Sequence, residues 1–266
     1  MLFEGADNRL LKGKMVNVLI TNKCNLQCGG CHQFCGLITK NYKSRIWNIS
    51  PKQLDENIKV LTHPKGTNPK RIGIFGGETT LHPQWGEILK VVKNYSNVQF
   101  DVWTNGTRPE KLIVLPNVRY RIGDKQSMMH RATLVAACDI YKKDTLEFYW
   151  EIAHRICRMW KQCRSVVYDN RAYLCEPAAA FDRLELGSEK WDESKGWKLK
   201  LGENPFNRTQ IEIAKQGKSF CYRCGFCIEE EIWQKVSDPD LITDTNLKLL
   251  NKLGDSFHYK HYRDIQ

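Results

Sequence analysis

Four of the chain's eleven cysteines crowd into the stretch TNKCNLQCGGCHQFCG, residues 21–36. In a reducing compartment, thiols packed this densely serve as metal ligands or nucleophiles more often than as disulfides. Cys24, Cys28 and Cys31 make the spacing C-x3-C-x2-C, and Cys35 stands outside it. A structural zinc site would want four closed ligands, usually as paired C-x2-C units, and that pattern is missing from this loop. Three thiolates suit a [4Fe-4S] cluster with one iron left open. Cys35 is either a loop cysteine without a role or a contact to such a cluster. His32 is either a hydrogen bonder of the loop or a site residue.

Two more signals of the same kind follow. Gly76-Gly77-Glu78 offers a backbone that a ligand can approach closely and a carboxylate that can accept from an ammonium group. Thr104-Asn105-Gly106 offers polar groups at a turn. A second set of cysteines stands at 157, 163 and 175, then at 221, 224 and 227 within SFCYRCGFCIEE. Spacing alone does not separate zinc from iron-sulfur for that set. Cys138 stands alone and reads as a small buried apolar residue.

The elements that must position these groups alternate. A β-rich run at 15–21 (MVNVLIT) leads into the cysteine loop. Ser50-Pro51-Lys52-Gln53 opens a helix, with Ser as cap, Pro at the first position and Gln closing a capping box. A strand at 71–75 runs into Gly76-Gly77-Glu78. A helix with Trp85, Ile88, Leu89, Val92 and Tyr95 on one face follows it. Strands at 98–104 and 118–122 come next, so crossovers and a parallel sheet are expected, with the polar and glycine-rich signals at the strands' C-terminal ends. Ligands bind at that edge of α/β sheets and barrels. Beyond residue 140, Asp144-Thr145-Leu146-Glu147 reads as a capping box opening a long helix striped by Leu146, Tyr149, Ala153, Ile156, Trp160 and Cys163. The stretch SVVYDNRAYLC reads as a hairpin turning at Asp169-Asn170. Residues 181–217 read as a loop-rich connection.

C-x3-C-x2-C after a first strand, then Gly76-Gly77-Glu78 and Thr104-Asn105-Gly106 in order at later strand ends, resembles the radical S-adenosylmethionine enzymes. The resemblance implies an α/β partial (β/α)6 TIM-like barrel. It also implies a [4Fe-4S] cluster on Cys24, Cys28 and Cys31, whose open iron chelates S-adenosyl-L-methionine, and an external electron donor such as flavodoxin or ferredoxin. By the same token Gly76, Gly77 and Glu78 meet the methionine amino group, and Thr104 and Asn105 the rest of the cofactor. Many members carry an aromatic residue before the third cysteine; here it is Gly30, and His32 or Phe34 is left to supply the adenine contact. A cysteine before a hairpin, another at its end and a distal C-x2-C resembles the twitch extension, the short form of SPASM, which holds an auxiliary [4Fe-4S] cluster. That implies Cys163, Cys175, Cys221 and Cys224 as its ligands, with Cys157 and Cys227 in reserve. On an unbroken helix Cys157 and Cys163 would stand roughly 9 Å and about 120° apart, too far to share one cluster. The expected division is a core at 1–140 and a helix plus extension at 141–266.

The resemblance implies an enzyme that makes a 5′-deoxyadenosyl radical and abstracts hydrogen from a substrate, an oxidoreductase by class. A net charge of +11 attracts nucleic acid, anionic lipid or an acidic substrate. With no peptide-binding domain in evidence, it points to a small polar or nucleotide-like molecule, with a nucleic acid open. The alternatives are a peptide-modifying radical enzyme and a non-catalytic metal-cluster module gripping nucleic acid. No window approaches the roughly 18 apolar residues of a membrane span, and MLFEGADNRLLKGK has no long apolar segment behind it. The expectation is a cytoplasmic chain with no membrane partner.

Overall fold

Strand β1 (Met15–Thr21) is buried along its length beyond Met15, as a parallel strand covered on both faces must be. It lies beside β2 (Arg71–Gly76), followed by β3 (Gln99–Thr104) and β4 (Val118–Ile122), all parallel. On its other side β1 takes β5 (Val166–Tyr168), also parallel. There β6 (Arg171–Tyr173) and β7 (Trp197–Lys198) continue the sheet antiparallel. The order β4-β3-β2-β1-β5-β6-β7 makes one seven-stranded sheet, a mixed α/β, mostly parallel arrangement. These are features of a computed structural model, which describes residues 15–41, 46–123, 132–155, 157, 166–185, 195–234, 238 and 240–252.

Among the described residues the α-helices are α1 (Cys35–Asn41), α2 (Pro51–Thr62), α3 (Trp85–Lys93), α4 (Ala137–Tyr141), α5 (Leu146–Arg155), α6 (Glu176–Leu184), α7 (Gln210–Phe220), α8 (Glu230–Trp233) and α9 (Asp244–Lys252). Strand alternation divides them between two cores. Val16, Val18 and Ile20 of β1 pack with Leu54, Ile58, Ile88 and Val92 of α2 and α3. Leu19 faces the other way, into a core built from Phe34, Tyr173, Phe181 and Phe220. The second core therefore joins the cysteine loop to the C-terminal helices.

Several expectations shift in detail. Ser50 caps α2 by accepting from the Gln53 N–H at 3.1 Å, but the Gln53 amide does not complete the box. It donates to Asp169 Oδ1 at 3.0 Å, at the hairpin turn. That turn is where the sequence places it, with Asp169 and Asn170 at φ 48° and 59°. Helix α5 is capped by Thr145, whose hydroxyl accepts from the Phe148 N–H; Asp144 lies one residue too early. It ends at Arg155, far short of the stripe extrapolated to Cys163, and Ile156, Trp160 and Cys163 lie outside the described residues. The described residues of 181–217 are more structured than a loop-rich connection. They contain the end of α6, strand β7 and most of α7, whose start is a complete capping box between Thr209 and Glu212. Cys138 is half-buried, with its thiol 3.5 Å from the Thr245 hydroxyl.

The sheet is tightest where β1 and β2 cross Gly73. A Cβ there would lie 1.8 Å from Asn17 Oδ1, and Asn17 is held in turn by donating to Glu176 on α6. Gly73→Ala is expected to cost about 1–3 kcal/mol, the usual penalty for overpacking. Urea denaturation checks this, and an unchanged midpoint would show that Asn17 gives way freely.

Candidate functional site

The cysteine loop leaves β1 under restraint at several points. Thr21 Oγ1 donates to Asn48 Oδ1 at 2.7 Å, and Asn22 Oδ1 accepts from the Trp47 N–H at 2.7 Å. The Gly77 N–H donates to Thr21 O and the Glu78 N–H to Lys23 O, at 2.9 and 2.8 Å. The two glycines are needed for this approach: a Cβ on Gly76 would meet Thr21 O at 2.3 Å, and one on Gly77 would meet Lys23 O at 2.2 Å. They let one backbone approach another, and they also face the space beyond.

That space is a cleft of about 530 Å³ at the C-terminal end of the parallel strands. Cys24, Cys28, Cys31 and Cys35 line it from the loop, Gly76 and Gly77 from the end of β2, and Thr104 and Asn105 from the end of β3. Burial pushes the Cys24 thiol up to about 11, against the Leu26 N–H, with Cys31 and Cys28 adding to the rise. Cys35 is pushed well up by its hydrogen bond with Cys31 and by burial. Thiols that raise one another in this way want a positive centre to take them as thiolates. The set of Cys24, Cys28 and Cys31 around one cleft fits a cluster bound through three sulfurs. Among the described residues, no group of three His, Cys, Asp or Glu side chains is drawn close enough to hold a single metal ion as it stands.

Glu78 does not line the cleft and is fully buried. Its Oε1 accepts from the Thr80 N–H, the Thr80 hydroxyl and the Thr104 hydroxyl at 3.1, 2.6 and 2.7 Å. Its Oε2 accepts from the Asn105 N–H at 2.6 Å. The carboxylate read as an ammonium acceptor is thus spent inside the protein, tying the end of β2 to the end of β3. Asn105 carries the tie onward, since its amide donates to Asn25 Oδ1 in the cysteine loop at 3.0 Å. Glu78→Ala would leave two backbone N–H groups without an acceptor. It is expected to destabilise the fold by about 3 kcal/mol, at 1–3 kcal/mol for each orphaned buried donor. A loss under about 1 kcal/mol in urea would show that water replaces the carboxylate.

His32 lines the cleft, stacked 6.0 Å from the Phe75 ring, with Nε2 3.6 Å from Glu176 Oε2. Phe34 turns away into the second core, 4.9 Å from Phe181. Gly30 sits at φ 63°, a left-handed conformation that disfavours an aromatic residue at that position. Four lining residues escaped the sequence reading: Leu26, Gln33, Phe75 and Trp103. The last two stand just before the glycine and Thr-Asn signals.

The distal cysteines gather elsewhere. Beyond α5 the Cys157 N–H donates to Ile152 O at 3.0 Å, a wide last turn that takes Cys157 out of helical register and into the second core. Burial and then Cys157, Cys221 and Cys224 push the Cys175 thiol well up. Cys227 is raised by hydrogen bonds with Cys157, Cys221 and Cys224. Cys157, held in reserve at first, is therefore one of the group, because the unbroken helix that disfavoured it does not form.

Residues 18–123 match the family described as the Radical SAM superfamily. No curated protein matches the chain. Among solved structures, the chain is similar to the one described as "Crystal structure of BtrN in complex with AdoMet and 2-DOIA". The two are 14% identical with a TM-score of 0.43, over 80% of this chain and 92% of that one. No helix among the described residues is long and apolar enough to cross a membrane. Residues 18–123, which hold the three-cysteine strand-end loop, thus match the Radical SAM superfamily, and the chain is an enzyme of that class.

Proposed function

We propose that the chain binds a [4Fe-4S] cluster through Cys24, Cys28 and Cys31, cleaves S-adenosylmethionine reductively, and abstracts a hydrogen atom from a small polar or nucleotide-like substrate. The observation that carries this is the meeting of those three thiols with Gly76, Gly77, Thr104 and Asn105 around one cleft. When bound, the cluster supplies one electron to the sulfonium, whose carbon-sulfur bond breaks to give methionine and a 5′-deoxyadenosyl radical. The chain's own residues hold and enclose. Asn105 and Thr104, fixed by Glu78, present polar groups to the cofactor. Phe75 and Trp103, their rings 6.3 Å apart, supply apolar walls that keep water from the reactive carbon.

The C-terminal part, 141–266, has an electron-relay role in this reading. Cys157, Cys175, Cys221 and Cys224 would hold an auxiliary [4Fe-4S] cluster, Cys227 lying against them, while 1–140 forms the core. Electrons enter from a donor of the flavodoxin or ferredoxin kind, in the cytoplasm. The charge of +11 supports an anionic or nucleotide-like substrate. The test is anaerobic reconstitution and assay for 5′-deoxyadenosine with dithionite, alone and with pooled metabolites, nucleotides or peptides. Stimulation by the nucleotide or metabolite pool is expected. No 5′-deoxyadenosine under any condition sinks the proposal, and stimulation by peptides alone moves the substrate class.

A further inference from the structure

Arg183, near the end of α6, and Gln33, between Cys31 and Cys35, are each only 2% exposed. The guanidinium donates through Nη2 to Gln33 O at 3.4 Å and lies 5.2 Å from the Tyr168 ring. Its Nε and Nη1 have no hydrogen-bond acceptor, and neither end of the Gln33 amide has a partner. A ring face and one long hydrogen bond leave most of a buried charge unanswered, and such a charge is costly until an anion meets it.

The nearby carboxylates are engaged elsewhere. Asp182 accepts from the Tyr173 hydroxyl and pairs with Arg171. Glu185 pairs with Lys195 and Arg223. Among the described residues no carboxylate pairs with Arg183. What it does face is the cysteine loop: it donates to the backbone of Gln33, and Gln33 lines the same cleft as the thiols. An iron-sulfur cluster with three thiolates is an anion, and nearby charge and donors set its potential.

We infer that Arg183 is the buried counter-charge of the cluster held by Cys24, Cys28 and Cys31, with the Gln33 amide as an accompanying donor, and that it makes that cluster easier to reduce. The inference rests on the proposed radical chemistry but reaches beyond it. Arg183 acts as a positioning residue, through its field alone: adding one electron makes the cluster more negative, and a fixed cation in a low-dielectric wall favours that state.

The experiment is an EPR-monitored redox titration of the reconstituted full chain, following the signal that added S-adenosylmethionine perturbs. Arg183→Met is expected to lower the reduction equilibrium at least tenfold, or 59 mV for a one-electron couple. Arg183→Lys, which keeps the charge, is expected to stay close to wild type. An unshifted midpoint in Arg183→Met overturns the inference. If that variant does not fold, Arg183→Gln is compared with Arg183→Lys, and equal midpoints in that pair overturn it too. A wild-type chain that folds but binds no such cluster sinks the underlying function instead, so the two failures are told apart.

Discussion

A chain with Cys24, Cys28 and Cys31 all replaced by Ala is expected to release no 5′-deoxyadenosine. It should hold about four irons where wild type holds about eight, on the count of two four-iron clusters. The three thiols share the cleft with the glycines at the end of β2, and none of the described distal cysteines lines that cleft. The loop should survive their loss. Its position depends on Asn105 holding Asn25 and on Lys23 O accepting from Glu78, and neither bond involves a thiol. Cys35 is the internal control: buried and bonded to Cys31 rather than part of the spacing, it should be replaceable by Ala with the cluster retained. 5′-Deoxyadenosine from the triple variant would end the radical reading.

Cys157→Ala is expected to remove the second cluster, halving the iron, and to unsettle the C-terminal helices, while Cys163→Ala leaves both clusters in place. The expectation follows from the wide turn after α5, which delivers Cys157 to Cys175 and Cys221. Small metal-bound extensions draw much of their folding free energy from the metal, so thermal unfolding of Cys157→Ala should begin well below that of wild type. Full iron in Cys157→Ala, with loss in Cys163→Ala, would restore Cys163 as the ligand. One zinc in place of four irons would replace the electron relay by a purely structural role.

Where local chemistry decides an element, the sequence is readable. MVNVLIT must be a strand because both its faces are covered, and Asp169-Asn170 must turn because both residues tolerate positive φ. Helix α6 was hidden for the opposite reason: all of EPAAAFDRL is buried, so no polar face marks the 3.6-residue period. Helix α7 did carry a legible signal in Thr209 and Glu212, overlooked inside a polar stretch. Within the site, contiguous motifs announced the thiols, the glycines and Asn105. Glu78 bears the residue type expected of a ligand acceptor, yet its bonds run to Thr80, Thr104 and Asn105, an outcome set by how two strand ends meet. Arg183 and Gln33 are 150 residues apart along the chain, and no local pattern relates them.

Strand β1 takes its second neighbour, β5, from far along the chain; Asn17 and its partner Glu176 are separated by 159 residues. During synthesis the strand that leads into the cysteine loop therefore waits with one edge of unpaired backbone N–H and C=O groups open until the hairpin has left the ribosome. Such edges recruit other chains, and contacts this distant in sequence form slowly. Newly made protein thus passes through a stage in which the cysteine loop hangs from an unfinished sheet, where shielding by chaperones matters most. Cluster loading belongs after that stage, once β5 has closed the edge.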